Sequence, residues 1–145
     1  MNNHGRILGL DIGKRRVGVA ITDELFITAQ PLSPLETTGL NDLLSQLAPL
    51  MQEYDIHAIV LGKPCRLDGR DDHLSVFVEK VKIKLEERFK IKVHLYDERF
   101  TSKIAQQSIY QSGYKLKRHK KALDSISASL ILSDFLKAHD KKDTD

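Results

Sequence analysis

Residues 8–23 constrain the fold more than any other stretch: Leu-Gly-Leu-Asp-Ile-Gly-Lys-Arg-Arg-Val-Gly-Val-Ala-Ile-Thr-Asp. Ile7, Leu8 and Leu10 are strand formers that require burial in a sheet, and the run ends in a carboxylate, Asp11. Gly13 permits a backbone conformation or a close approach that a side chain blocks. After the basic turn of Lys14, Arg15 and Arg16, residues 17–21 read as the returning strand of a hairpin. A charged group at the end of a buried strand is costly without a partner. Two readings of Asp11 stay open at this point: the capping residue of an ordinary hairpin, or a ligand for a metal ion or a phosphate-bound metal.

The remaining pattern surrounds that hairpin with alternating elements. Residues 26–35 carry Pro31 and Pro34, which suits an edge strand running into a loop. Leu40, Leu43, Leu44, Leu47, Met51 and Tyr54 recur at helical spacing, with Pro49 expected to kink or split the helix. Residues 56–62 form a short apolar run with little alternation, as in a strand covered on both faces. Residues 62–70 mix turn formers with basic side chains, and Leu74, Phe77, Val78, Val81 and Leu85 mark a second amphipathic helix to about Phe89. A strand over 91–96 ends at Asp97-Glu98-Arg99. Thr101 or Ser102 can cap a third helix over 103–111. A basic segment follows over 113–121, and a last helix is expected over 122–138. Five strands interleaved with helices argue for an α/β layered domain with a central mixed five-stranded sheet flanked by helices. The domain spans 1–138, and 139–145 reads as a polar tail.

Composition excludes several classes. At 145 residues, 41% hydrophobic and 30% charged, the chain is one soluble globular domain. A single cysteine, Cys65, rules out an internal disulfide framework. The first residues lack the layout of a signal peptide and no apolar run reaches membrane-spanning length, so the cytoplasm is the default. The net charge of +3 matters less than its distribution. Lys115, Lys117, Arg118, Lys120 and Lys121 crowd one segment, which reads either as a solvated loop or as a phosphate-attracting patch.

Ligands in open α/β sheets gather outside the carboxyl ends of the strands. Asp11 ends the first strand and Glu98 the last; Asp124 lies in the first turn of the expected final helix. Asp124 shares a helical stripe with Ala128, Ile131 and Phe135, so it is expected to face the sheet. Three converging carboxylates repel one another without cations, and hard divalent ions take oxygen ligands. Two such ions about 3.5–4 Å apart activate water and stabilise a leaving oxygen in phosphodiester cleavage. Taken singly, Glu98 could merely end a strand and Asp124 could answer the helix dipole.

Four motifs occur in order: the 8–23 stretch, Gly62-Lys-Pro with Leu67-Asp-Gly, Asp97-Glu-Arg-Phe-Thr and Leu123-Asp-Ser-Ile-Ser-Ala. Together they resemble the YqgF-type pre-16S rRNA nuclease family, which is related to Holliday-junction resolvases. The resemblance spans nearly the whole chain. It implies a ribonuclease-H-like three-layer domain, a cytoplasmic location and nuclease activity at the 5′ end of pre-16S rRNA. It places the catalytic and metal-binding carboxylates on Asp11, Glu98 and Asp124, with Mg²⁺ or Mn²⁺ as cofactor. Cys65 and Arg66 depart from the family loop, and Ser127 and Ser129 stand where alanines are common.

Substrate phosphates are expected on Gly13, Lys14, Arg15, Lys63, Arg66, Arg99, Lys117, Arg118 and Lys120. Arg99 can equally pair with Asp97 or Asp124. His73 reads as a helix-start residue facing solvent, with phosphate contact as its other role. Cys65 has no neighbouring base to make it a nucleophile. The expected partner is nucleic acid, pre-rRNA first and branched DNA second, with ribosomal precursor particles as a further partner and no membrane. The chain is expected to be a monomer or weak homodimer, and a junction resolvase would need a symmetric dimer to cut two strands. A non-catalytic nucleic-acid-binding factor is the remaining alternative on this fold. Asp-Ile-Gly before a hairpin also resembles the first phosphate loop of actin-like ATPases and sugar kinases, but those enzymes need two such domains and a longer chain.

Overall fold

Leu8, Leu10 and Ile12 alternate with Ile7, Gly9 and Asp11, and the strand they form divides the molecule into two cores. The computed structural model describes residues 5–13, 15–63, 73–97 and 116–143, with the side chains of 116–124 and 139–143 outside the description. β1 (Arg6–Ile12), β2 (Arg16–Thr22) and β3 (Ala29–Glu36) are followed by α1 (Leu40–Glu53), β4 (Ile56–Lys63), α2 (His73–Phe89) and β5 (Lys92–Asp97). The last described element, α3, is the long helix Leu116–Asp143.

The five strands form one sheet in the order β3-β2-β1-β4-β5. β1, β2 and β3 are antiparallel neighbours, whereas β4 and β5 run parallel to β1. On one face, Leu8, Leu10, Val17, Val19, Ile59 and Leu61 pack against Leu43 and Leu47 of α1 and Val78, Val81 and Leu85 of α2. On the other, Ala20 and Val60 pack against Ala128, Ile131, Leu132 and Phe135 of α3. This is the layered mixed sheet expected from the alternation of elements.

Gly9 sets how closely α3 approaches. A β-carbon there would lie 3.0 Å from Leu132 Cβ and 3.2 Å from the Ala128 carbonyl oxygen, so only glycine admits the helix at this height.

Several elements depart from the sequence expectation. Pro49 does not split α1, which runs unbroken through it. Pro49 and Ser45 both lie on the exposed face, so the carbonyl left without a helical donor can turn to water. Residues 23–28 form a turn rather than the start of β3. Asp23 Oδ1 accepts the N–H groups of Ile27 at 2.7 Å and Thr28 at 2.8 Å, and these bonds hold Asp23's carboxyl below its ordinary range. The edge position of β3 does fit its prolines. Its pairing with β2 shifts by one residue where Ser33 and Pro34 sit opposite Gly18, a bulge that tolerates the missing N–H.

α3 starts at Leu116, six residues before the expected 122. Lys117, Arg118 and Lys120 therefore lie on a helix and not in a loop. Leucine, lysine and arginine are good helix formers, and neither glycine nor proline interrupts 116–121. The helix also runs past 138 to Asp143. The helix expected over 103–111 lies outside the described residues.

Candidate functional site

Asp11 stands between two glycines. Register pairs it with Gly18 on β2 and Gly62 on β4, and Gly62 with Tyr96 on β5. Because Asp11 alternates with Leu10 and Ile12, it shares the face of Gly9, the face covered by α3. One row toward the strand origins, Ala20, Gly9, Val60 and His94 lie side by side. That row is roofed by α3, with His94 against the Phe135 ring at 4.9 Å between centroids. The Asp11 row lies at the carboxyl end of β1, toward the N-terminal part of α3. Its neighbours Gly18 and Gly62 add no side chain beside the carboxylate, and glycine inside a strand marks such a close approach.

Asp124 belongs to the part of α3 nearest this row. Ala128, Ile131 and Phe135, which share its stripe, are buried against the sheet as the helical spacing predicted. Ser125, the next residue, is 1% exposed, and its Oγ accepts the backbone N–H of Val19 on β2 at 3.2 Å. The helix backbone at 124–125 is thereby tied to β2, the strand that pairs with Asp11. The side chain of Asp124 lies outside the description. So do Glu98, one position past the end of β5, and Lys14, Cys65, Arg66 and Arg99.

Hard-cation chemistry suits what is described. Asp11 brings a carboxylate to a row in which its two immediate neighbours are glycines, and oxygen is the ligand Mg²⁺ and Mn²⁺ prefer. Among the described residues no three metal-ligating side chains gather. Tyr96, at the β5 end of the row, has its phenol pushed above its ordinary range by burial first and by the charges of Asp134 and Asp97 second. It therefore stays protonated and able to donate a hydrogen bond at neutral pH.

The expected basic residues separate into engaged and disengaged. Lys63 Nζ pairs with Glu79 Oε1 on α2 at 3.0 Å, and Arg16 with Glu36 at 3.7 Å. Arg15 is exposed and joins no ion pair among the described residues. Gly13 has a local reason to be glycine: a β-carbon there would meet the Arg16 carbonyl oxygen at 2.8 Å, inside the turn closed by Gly13 N–H to that same oxygen.

Sequence reasoning missed a cleft of about 480 Å³ beside this turn, walled by Arg15, Thr37, Thr38, His73, Leu74 and Phe77. His73 is the exposed first residue of α2, as expected, and also borders this cleft. No linear motif could show it, because the β1–β2 turn, the β3–α1 connection and the start of α2 meet only in the fold. Ser125 was visible only as a small residue, since its partner lies 106 positions away.

Comparison with known proteins agrees with this architecture. A family model described as "RuvX: Holliday junction resolvase" matches residues 5–138. A protein of Koribacter versatilis named "Putative pre-16S rRNA nuclease" is 41% identical over 133 residues, 92% of this chain and 87% of that one. A protein of Syntrophomonas wolfei with the same name is 37% identical, over 90% of this chain and 93% of its own. Among solved structures, T. thermophilus RuvC in complex with Holliday junction substrate superposes with a TM-score of 0.59 at 11% identity, covering 88% of this chain and 92% of that one. The fowlpox virus Holliday junction resolvase gives 0.58 at 18% identity, with 92% and 98% covered. At those identities the structural likeness speaks for the fold. Among the described residues, no helix is long and apolar enough to cross a membrane.

Proposed function

The chain belongs to the RuvX family, and from that premise we propose that it is a cytoplasmic, metal-dependent nuclease that trims the 5′ end of pre-16S rRNA. The observation that carries the reading is the position of Asp11: a carboxylate at the carboxyl end of the central strand, flanked by Gly18 and Gly62, under the N-terminal part of α3.

In this reading Asp11, Glu98 and Asp124 would hold the divalent cation. When bound, that cation lowers the pKa of a water and offsets charge on the leaving oxygen. The rest of the work falls to the chain's own residues. Asp11 is held at a fixed height by pairing on both sides of β1. The Ser125–Val19 hydrogen bond anchors the backbone next to Asp124. Arg15 and the cations at 117, 118 and 120 draw the phosphate backbone toward that edge, in the company of Lys14, Lys63, Arg66 and Arg99. A single domain over 1–138 contains all of these positions.

Branched DNA is the second substrate, favoured by the family model's description and the fold shared with junction resolvases. The test uses purified protein with Mg²⁺ or Mn²⁺ on a structured precursor of 16S rRNA and on a four-way DNA junction. The native chain is expected to cleave the RNA and Asp11→Asn to leave it intact. Equal cleavage by both would sink the carboxylate mechanism, and cleavage of the junction alone would reassign the substrate.

A further inference from the structure

We propose that the cleft beside the β1–β2 turn is a subsite for one unstacked nucleotide of a single-stranded substrate, next to the nucleotide whose phosphate lies at Asp11. The inference rests on the nucleic-acid reading above and adds to it a place for a base on the opposite side of the sheet edge.

Three observations meet there. The first is position. Asp11 faces α3, whereas two residues further along the chain Gly13 borders a cleft on the α1 and α2 side. A strand crossing the sheet edge at Asp11 thus passes directly into this cleft. The second is size and lining. About 480 Å³ is within the range of small-ligand sites, and Phe77 and Leu74 offer an apolar wall on which a base can stack. Thr37 and Thr38 border the same cleft, the Thr38 hydroxyl donating to Asp42 at 3.4 Å.

The third observation is charge. Arg15 lines the cleft, is exposed, and has no carboxylate partner among the described residues, unlike its neighbour Arg16, which is paired with Glu36. His73 opens α2 at the same opening and adds a helix start's partial positive charge, whereas the start of α1 is answered by the Asp42 carboxylate, which accepts the Thr38 N–H at 3.0 Å. An apolar wall beside an exposed guanidinium matches a nucleobase with its phosphate. A duplex, whose bases are stacked and paired, offers no base to this wall.

The experiment uses the full chain carrying Asp11→Asn, without added metal, so binding is read independently of cleavage. The probe is single-stranded RNA of about 12 nucleotides, a length within the usual site sizes. It carries one 2-aminopurine, whose fluorescence falls on stacking; an all-RNA duplex of the same sequence and a single-stranded DNA serve as further arms. Adding Phe77→Leu is expected to remove the quench and weaken single-strand binding about 10-fold, with duplex binding unchanged. Phe77 also packs against the core, so His73→Glu supplies a second variant on the exposed rim, at a helix start that holds no other acid in its first turn. It is expected to remove the quench as well. Retained quench and affinity in either folded variant overturns the subsite, as does an equal loss for duplex and single strand. Equal behaviour of RNA and DNA single strands supports a base-stacking site indifferent to the sugar. None of these results depends on whether the chain cleaves.

Discussion

Ser125 Oγ, on the buried side of α3, accepts the backbone N–H of Val19 at 3.2 Å. Val19 borders the register shift between β2 and β3, where the ladder is locally disrupted, so a helix hydroxyl takes a donor at a weak point of the sheet. Ser125→Ala leaves that buried N–H without its acceptor and is expected to destabilise by about 1–3 kcal/mol in urea titration. Cleavage is expected to fall as well, because the neighbouring Asp124 loses its anchor. Ser129→Ala is the control. Its hydroxyl donates only to the Ile126 carbonyl one turn back, at 2.7 Å, and its loss is expected to stay within about 0.5 kcal/mol. Equal effects of the two substitutions would remove the anchoring role.

Gly9→Ala tests how tightly α3 is seated. Its β-carbon would sit 3.0 Å from Leu132 Cβ, and overpacking of this kind costs about 1–3 kcal/mol. Leu132→Ala takes away Cδ2, 3.3 Å from the same β-carbon, but leaves the closer Cβ, so it is expected to relieve the Gly9→Ala cost only in part. A Gly9→Ala chain with native stability in thermal or urea unfolding would mean that the helix is not set by this contact.

Periodicity made most of the fold legible. Leu43, Leu44, Leu47 and Met51 announced α1, and the run 56–62 announced a strand covered on both faces, because each element's burial repeats within its own segment. The extension of α3 to Leu116 was hidden for the converse reason. Lys117, Arg118 and Lys120 carry no apolar stripe, and a helix built on propensity alone leaves no hydrophobic period. Asp11 was visible as a carboxylate ending an apolar strand. That Gly18 and Gly62 flank it depends on strand order, which no single strand encodes.

Lys63 pairs with Glu79, and that ion pair competes with phosphate for its ammonium. Glu79→Gln weakens the hold on the ammonium and removes a negative charge from α2. Nucleic-acid affinity is expected to rise at low salt, with the gain vanishing as salt is raised. Lys63→Gln is expected to lower the slope of log affinity against log salt by about 0.7 on a single strand if the lysine reaches one phosphate. As an exposed ion pair the contact itself is worth at most about 1 kcal/mol, so neither variant should unfold the chain. A Glu79→Gln variant with unchanged affinity at every salt concentration would confine Lys63 to its ion pair.

Asp134 on α3 titrates above its ordinary value of 3.8 because burial disfavours its charge, a penalty that Lys137 only partly offsets. The folded chain therefore binds this proton more tightly than the unfolded one. Stability contributed by the protonated form is fully present below 3.8 and is lost as pH rises through the folded value. Asp134→Asn removes the charge that must be desolvated, so it is expected to flatten the fall in stability across that acid window. At neutral pH a gain of no more than about 0.5 kcal/mol is expected, since the side chain is only half-buried. Tyr96 gives a second readout: with the Asp134 charge gone, its phenol is expected to titrate lower, though still above the ordinary range because burial is the larger cause. Urea midpoints at a series of pH values and an ultraviolet titration of the tyrosines measure the two effects. A variant with the native pH profile and an unmoved Tyr96 would mean that the Asp134 carboxyl is solvated and distant from the Asp11 row.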